Sequence, residues 1–442
     1  MHIVMVTNTF TPMVGGVAQS VSRFTESLRA IGHRVLVVAP EFENMPKHEK
    51  DVIRVPAIQN FNGSDFSVRL PIPIFLDDEM QRFQPHVIHS HHPFLMGDTA
   101  QRLARKWHIP LLFTHHTMYE QYTHYVPVDS PLIKRFTIEL ATGYANLCDQ
   151  VIAPSESVAK ILRQRGVKAP ITCIPTGVDV EQFRYGNGAS FRTQNGIPND
   201  AFVVGHLGRL APEKNLAFLA KAAARFMRAN PKAHFLVVGS GPSMQNIQAI
   251  FTEQGINDRL HTPGKMSGKH LIDAYHAMDV FAFSSYSETQ GMVLVEAMAA
   301  GVPVVALDAS GAREVVIDRE NGRLLPKQDE QAFADALDWV DSLNPDQSAA
   351  LHQKAHERAQ TFSMTRCTQR LAAIYEALYQ GQQSKHVADE GIWQRALEQL
   401  NTEWNLWSNF ANAMSTALRK SPQSRQSPPP RNPSSENPSD TE

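Results

Sequence analysis

The sequence predicts an α/β protein built from two similar parallel-sheet domains, and three observations carry that expectation. The chain opens with an apolar run at residues 3–6, a glycine-containing turn, a helical pattern over residues 17–31 and a second apolar run at residues 35–39. Strand, turn, helix, strand is the βαβ unit from which parallel sheets are made. The same order restarts at residues 202–210, with a loop at 211–215 and a helical pattern over 216–227. Finally, 442 residues exceed what one hydrophobic core serves.

In the first half, further strands are expected at residues 52–55, 86–89, 111–114 and 150–153, with helices over 96–107 and 132–147 between them. Gly15-Gly16 then lies at the carboxyl edge of the first strand, where α/β folds bind ligands. It is not G-x-G-x-x-G, so a nicotinamide fingerprint is absent. Two histidine clusters, His89-Ser90-His91-His92 and His115-His116, follow two other strands and should reach the same edge. Neither has H-E-x-x-H spacing or a neighbouring cysteine or carboxylate set, so no metal is expected and polar contact with a substrate is the preferred role. A short strand and turn occupy residues 171–179. The Gly, Asn, Ser and Arg-rich stretch after Phe183, through Ile197, reads as the interdomain linker.

The second half repeats the architecture, although not the residues. Arg209 and Lys214 bracket a strand-to-helix turn, where both cations could converge on an anion held at the helix start. Residues 271–278 predict a helix and 280–283 a strand leading into a polar turn with Glu288, then a small-residue helix carrying Glu296. Gly291 lies between the two glutamates. The first amides of that helix, after Gly291 at Met292 and Val293, form an anion site. A carboxylate one turn further on suits neighbouring hydroxyls, as a ribose offers, so together the features suggest a nucleotide. Helices over residues 330–342, 345–361 and 364–379 complete the core.

Composition bounds the partners. Hydrophobic residues make up 42% of the chain, charged residues 19%, and the formal net charge is −2. There is no overall pull toward nucleic acid, and no nucleic-acid partner is expected. Cys148, Cys173 and Cys367 lie far apart without a C-x-x-C pair, which predicts reduced thiols. The start of the chain reads as a strand rather than a signal peptide, and no apolar window is long enough to span a bilayer. The expected location is cytoplasmic.

Taken in one order, Gly15-Gly16, Gly208-Arg209-x4-Lys214-Asn215 and Glu288-x7-Glu296 resemble the retaining glycosyltransferases of family 4. The resemblance spans about residues 1–380 and implies the GT-B fold, two Rossmann-like domains facing a central cleft. It implies an acceptor-binding domain over residues 1–183, a nucleotide-sugar-binding domain over 184–363 and a terminal core helix over 364–380. Carried over by position, Arg209 and Lys214 hold the diphosphate, Glu296 the ribose hydroxyls, and Glu288 with Gly291, Met292 and Val293 the donor sugar and phosphate. Gly15 and Gly16 contact phosphate on closure. His116 is the residue near the sugar, with His115 beside it. The resemblance implies no cofactor beyond the UDP-sugar donor.

A narrower resemblance, to diacylglycerol glycosyltransferases, rests on residues 91–97, 116–127 and 288–291. It implies transfer of a hexose from a UDP-sugar to diacylglycerol or a glycosyl-diacylglycerol, on the inner face of the cytoplasmic membrane. His91, His115, Tyr119, Tyr122 and Tyr125 are then the acceptor contacts. The alternatives are a soluble or polyprenyl-linked acceptor in polysaccharide assembly, and a non-catalytic nucleotide-sugar-binding scaffold.

The chain continues past this core. Trp393, Leu397, Leu400, Trp404, Trp407, Ala411, Met414 and Leu418 form a helical stripe within an appended helix over residues 386–420. Membrane contact, self-association through residues 393–418 and docking onto the core are its candidate roles. Residues 421–442, rich in proline and serine, are expected to be disordered.

Overall fold

The computed structural model describes residues 1–13, 15–58, 68–69, 75–121, 130–286, 288–383, 405–406, 408–413 and 415. Strands β1 (His2–Val6), β2 (Arg34–Pro40), β3 (Val52–Val55), β4 (Val87–Ser90), β5 (Leu111–Thr114), β6 (Gln150–Ala153) and β7 (Ile171–Cys173) form one sheet. Its order is β3-β2-β1-β4-β5-β6-β7, and all neighbours are parallel. Helices α1 (Gly16–Ala30), α2 (Phe75–Phe83), α3 (Met96–Lys106), α4 (Pro131–Asn146) and α5 (Glu156–Gln164) lie between the strands in sequence. A parallel sheet is covered on both faces, so its central strands are largely apolar. In β1, Ile3 and Met5 join one core with Val21, Phe24 and Leu28 of α1, while Val4 and Val6 join another with Leu103 of α3.

The chain then enters α6 (Val180–Phe183) and α7 (Gly188–Gln194). Here the structure corrects the sequence reading, because residues 184–197 are not a linker. Asn187 caps α7, its side chain accepting from Ser190 N at 2.9 Å, and Phe191 and Ile197 are buried in the second domain's core. Val178, Val180 and Phe183 belong to that core too, so the second domain starts before the composition shifts. A polar surface on a short capped helix carries the same composition as a loop.

The second sheet contains β8 (Phe202–Leu207), β9 (Ala233–Val238), β10 (Leu260–Gly264), β11 (Val280–Phe283), β12 (Val304–Leu307) and β13 (Gly322–Leu325). Its order is β10-β9-β8-β11-β12-β13, again parallel. Its helices are α8 (Leu216–Ala229), α9 (Met244–Glu253), α10 (Gly268–His276), α11 (Met292–Ala299), α12 (Ala312–Val315), α13 (Glu330–Asp341) and α14 (Pro345–Gln360). In both sheets the strand order reverses beside the first strand, between β1 and β4 and between β8 and β11. Such switch points, at the carboxyl ends of the strands, are where open α/β sheets bind ligands.

Helix α15 (Met364–Gln383) crosses back to the first domain, where Cys367, Leu371 and Tyr375 pack with α1. The two crossings run side by side: Val178 N donates to Phe362 O at 3.0 Å, and Met364 N to Val178 O at 2.9 Å. The described residues of the appended segment are helical and lie on α4. Asn409 Nδ2 donates to Leu140 O at 3.1 Å, the Phe410 ring meets Phe136 edge-on at 5.4 Å, and Ala413 is buried. The contacts with α4 come from Asn409, Phe410 and Ala413 rather than from the stripe, whose one described member, Ala411, is exposed. Residues 386–404 and 421–442 lie outside the described residues. Among the described residues, no helix is long and apolar enough to cross a membrane.

Candidate active site between the two sheets

The loop before α11 is shaped by glycine. Gly291 caps the helix at φ 75°, a left-handed conformation that side chains rarely adopt. A Cβ there would also meet Leu294 Cδ1 at 3.0 Å and Gly311 O at 3.2 Å. The turn swings Thr289 toward the first domain and leaves the opening amides of α11 without internal partners.

Glu288, Thr289 and Gln290 each have a defined partner. Glu288 Oε2 accepts from Lys214 Nζ at 2.9 Å, both side chains being mostly buried. Thr289 Oγ1 donates to His116 O at 3.0 Å, which ties the loop to the end of β5. Gln290 bonds the Thr176 backbone in both directions, Oε1 accepting from Thr176 N at 2.7 Å and Nε2 donating to Thr176 O at 2.5 Å. Thr176 is itself held by Ser20 of α1, hydroxyl to hydroxyl at 2.7 Å.

Glu296 lies one turn into α11 and is 5% exposed. Arg23 of α1 donates from Nη2 to Glu296 Oε1 at 2.9 Å, and the Tyr275 hydroxyl donates to Oε2 at 3.0 Å. Burial, and then the charge of Glu296, push the Tyr275 phenol well up, so it stays a donor. Arg23 also donates to Gly177 O at 3.3 Å. Gly16 reaches the same wall, since a Cβ on it would lie 3.8 Å from Met292 Cε.

Arg209 and Lys214 do not converge on one point. Arg209 pairs with Glu213 four residues on, its side chain half exposed, whereas Lys214 is drawn to Glu288. Each cation has a carboxylate within reach on its own side of the turn, which separates them. Gly15 is exposed at the start of α1.

The histidines reach the same edge, and two of the expected acceptor contacts are covered there: His91 is 0% exposed and His115 2%. His91 stands behind His116, Nδ1 to Nε2 at 2.9 Å. The His115 ring packs edge-on against Phe113 and Tyr119, at 5.8 and 5.6 Å. Burial holds both His91 and His116 well below the usual imidazole range, with neighbouring histidines adding to the shift. His89 bridges Tyr375 of α15 and Thr114, both at 2.6 Å. Tyr119 lies against Phe94 at 5.0 Å, and its neighbour Glu120 is held by Arg165 at 2.6 Å. Tyr122 and Tyr125 lie outside the described residues.

Sequence reasoning missed Arg23, Tyr275 and Thr176, and gave Thr289 and Gln290 no role. No signal in the sequence marks Arg23, Tyr275 or Thr176, because each acts on a partner in a distant element.

Known proteins share this organisation. The model of "Glycosyltransferase Family 4" matches residues 14–182 and that of "Glycosyl transferases group 1" matches residues 189–358. An α-monoglucosyldiacylglycerol synthase from Acholeplasma laidlawii is 29% identical, over 75% of this chain and 86% of the relative. A D-inositol 3-phosphate glycosyltransferase from Saccharomonospora viridis is 33% identical, over 65% of this chain and 69% of its own length. Among solved structures, Anabaena HepE in complex with UDP superposes with a TM-score of 0.70 at 22% identity, covering 85% of this chain and 100% of its own. With two parallel sheets joined as in the GT-B fold and both halves matched, the chain belongs to the family 4 glycosyltransferases.

Proposed function

We propose that this glycosyltransferase moves a hexose from a UDP-sugar to diacylglycerol or a glycosyl-diacylglycerol, with retention of configuration and without a metal. The observation that carries the reading is the Thr289 to His116 hydrogen bond, which sets the loop before α11 against the histidine strand ends. A donor sugar held at that loop faces His116 across the cleft.

In this reading Lys214, Arg209 and the opening amides of α11 at Met292 and Val293 meet the diphosphate, with Gly15 and Gly16 closing over it. Charge builds on the leaving phosphate as the glycosidic bond breaks, and donors already aimed there stabilise it as it forms. Glu296 takes the ribose hydroxyls: Arg23 and Tyr275 each occupy one of its oxygens, and a carboxylate has lone pairs to spare. Glu288 contacts the sugar, and His116 lies near the reacting centre. The leaving phosphate helps to deprotonate the acceptor on the same face, so no carboxylate nucleophile is needed. Tyr119, Tyr122 and Tyr125 are the proposed acceptor contacts.

The UDP complex of HepE supports the donor class, and the A. laidlawii relative, named for diacylglycerol, supports the acceptor. The S. viridis relative is named for an inositol phosphate and favours a soluble acceptor as the second reading. The deciding experiment presents purified protein and UDP-hexoses with diacylglycerol in micelles, inositol phosphate, or a polyprenyl phosphate. Transfer to the lipid supports the proposal. Transfer to water-soluble acceptors alone overturns its acceptor half, and turnover only with GDP-sugars overturns its donor half.

A further inference from the structure

His116 touches one other imidazole, and hydrogen counting across that pair has a consequence for the cleft. His91 Nδ1 lies 2.9 Å from His116 Nε2, so one of the two rings donates and the other accepts. His91 is fully buried, and its Nε2 has no hydrogen-bond partner among the described residues. A neutral imidazole carries one N–H, and the hydrogen bond made by one nitrogen sets where the proton lies. If the proton of His91 were on Nε2, a buried N–H would be left without an acceptor, which proteins rarely tolerate. If it is on Nδ1, it is used in the bond to His116 and only a lone pair is unpaired. The second arrangement leaves the smaller penalty.

The neighbours leave the pair little alternative. The His89 ring packs on His91 at 4.1 Å but spends its own nitrogens on Tyr375 and Thr114. His92 Nδ1 receives the Asn8 amide at 3.1 Å. On the other side the His116 carbonyl is fixed by Thr289, which sets where the ring can hang. His116 is partly exposed, and its Nδ1 has no hydrogen-bond partner among the described residues.

We propose that His91 is a positioning residue that donates from Nδ1 to His116 Nε2, which fixes His116 as the tautomer presenting Nδ1–H to the cleft. His116 then acts on the substrate as a hydrogen-bond donor to a sugar or acceptor oxygen, and its lone-pair nitrogen is turned away from the reaction. This rests on the reading of His116 as the cleft histidine. The arrangement of His91 itself does not.

The test uses the full chain labelled with 15N-histidine, with the His116 signals identified as those missing from His116→Gln. Nitrogen shifts distinguish the two neutral tautomers. Wild type and His91→Asn, which keeps an amide donor, should show His116 protonated on Nδ1. In a transfer assay, His91→Phe should lose about tenfold or more in kcat with little change in donor KM, and Asn should recover much of that loss. A wild-type His116 protonated on Nε2 overturns the proposal without any variant. So do equal kcat losses in Asn and Phe. If the tautomers behave as stated but His116→Ala keeps full activity, the placement of His116 at the sugar fails and the His91 assignment stands.

Discussion

Arg23 of the first domain and Glu296 of the second form an ion pair at 2.9 Å, with the glutamate side chain 7% exposed. The residue expected to meet the ribose is therefore held from the acceptor side of the cleft. The domain contact and the proposed donor site meet at one carboxylate.

Removing Arg23 leaves that carboxylate buried with only Tyr275. Arg23→Ala should lower stability by about 1–3 kcal/mol, the cost of a buried group deprived of its partner. Adding Glu296→Gln should recover part of it. A double-mutant cycle on urea unfolding reads the coupling, and additive losses would mean that the two side chains do not interact.

Lys214 stands at the diphosphate in the proposed reading. Lys214→Ala should weaken UDP binding about 10- to 100-fold, the range for a hydrogen bond to a charged group. Calorimetry with UDP checks this, and liposome sedimentation should be unchanged. Equal UDP affinity would remove Lys214 from the phosphate site.

Buried histidines make stability depend on pH. Burial lowers His89 and His92 to about 3, and His115 and His206 to about 4, from 6.5. Below pH 6.5 the unfolded chain takes up protons that the folded chain refuses. Their contribution is therefore present above pH 6.5 and is lost as pH falls from there toward 4, each histidine contributing about 1.4 kcal/mol per pH unit. Urea midpoints should drop steeply between pH 6.5 and 5. A flat profile there would show that these rings are protonated or exposed in the folded protein.

If cations and amides of the chain alone stabilise the leaving diphosphate, a chelator should leave the transfer rate unchanged. Loss of activity in EDTA, restored by added magnesium or manganese, would contradict the metal-free step.

Much of the fold was legible because its periodicities are local. Strands of two to three apolar pairs and helices with one buried face can be recognised a few residues at a time, and so can Glu288-x7-Glu296 on its loop and helix. Residues 184–197 misled because a seven-residue capped helix has the composition of a linker and only Phe191 and Ile197 betray its burial. Arg23 is 273 positions from Glu296 and Gln290 is 114 from Thr176. On an amphipathic helix a lone arginine reads as a solvated charge. The burial of His91 and His115 was not legible either: each follows a strand that ends at the cleft, but His116 packs on the one and Tyr119 on the other.

The most direct measurement is mass spectrometry of the products formed from mixed UDP-hexoses and a lipid extract, with His116→Ala and Lys214→Ala in parallel. The account predicts a diacylglycerol or glycosyl-diacylglycerol heavier by one hexose with wild type, and a product reduced at least tenfold in both variants. Hexose added only to water-soluble compounds, or undiminished lipid product from His116→Ala, would contradict it.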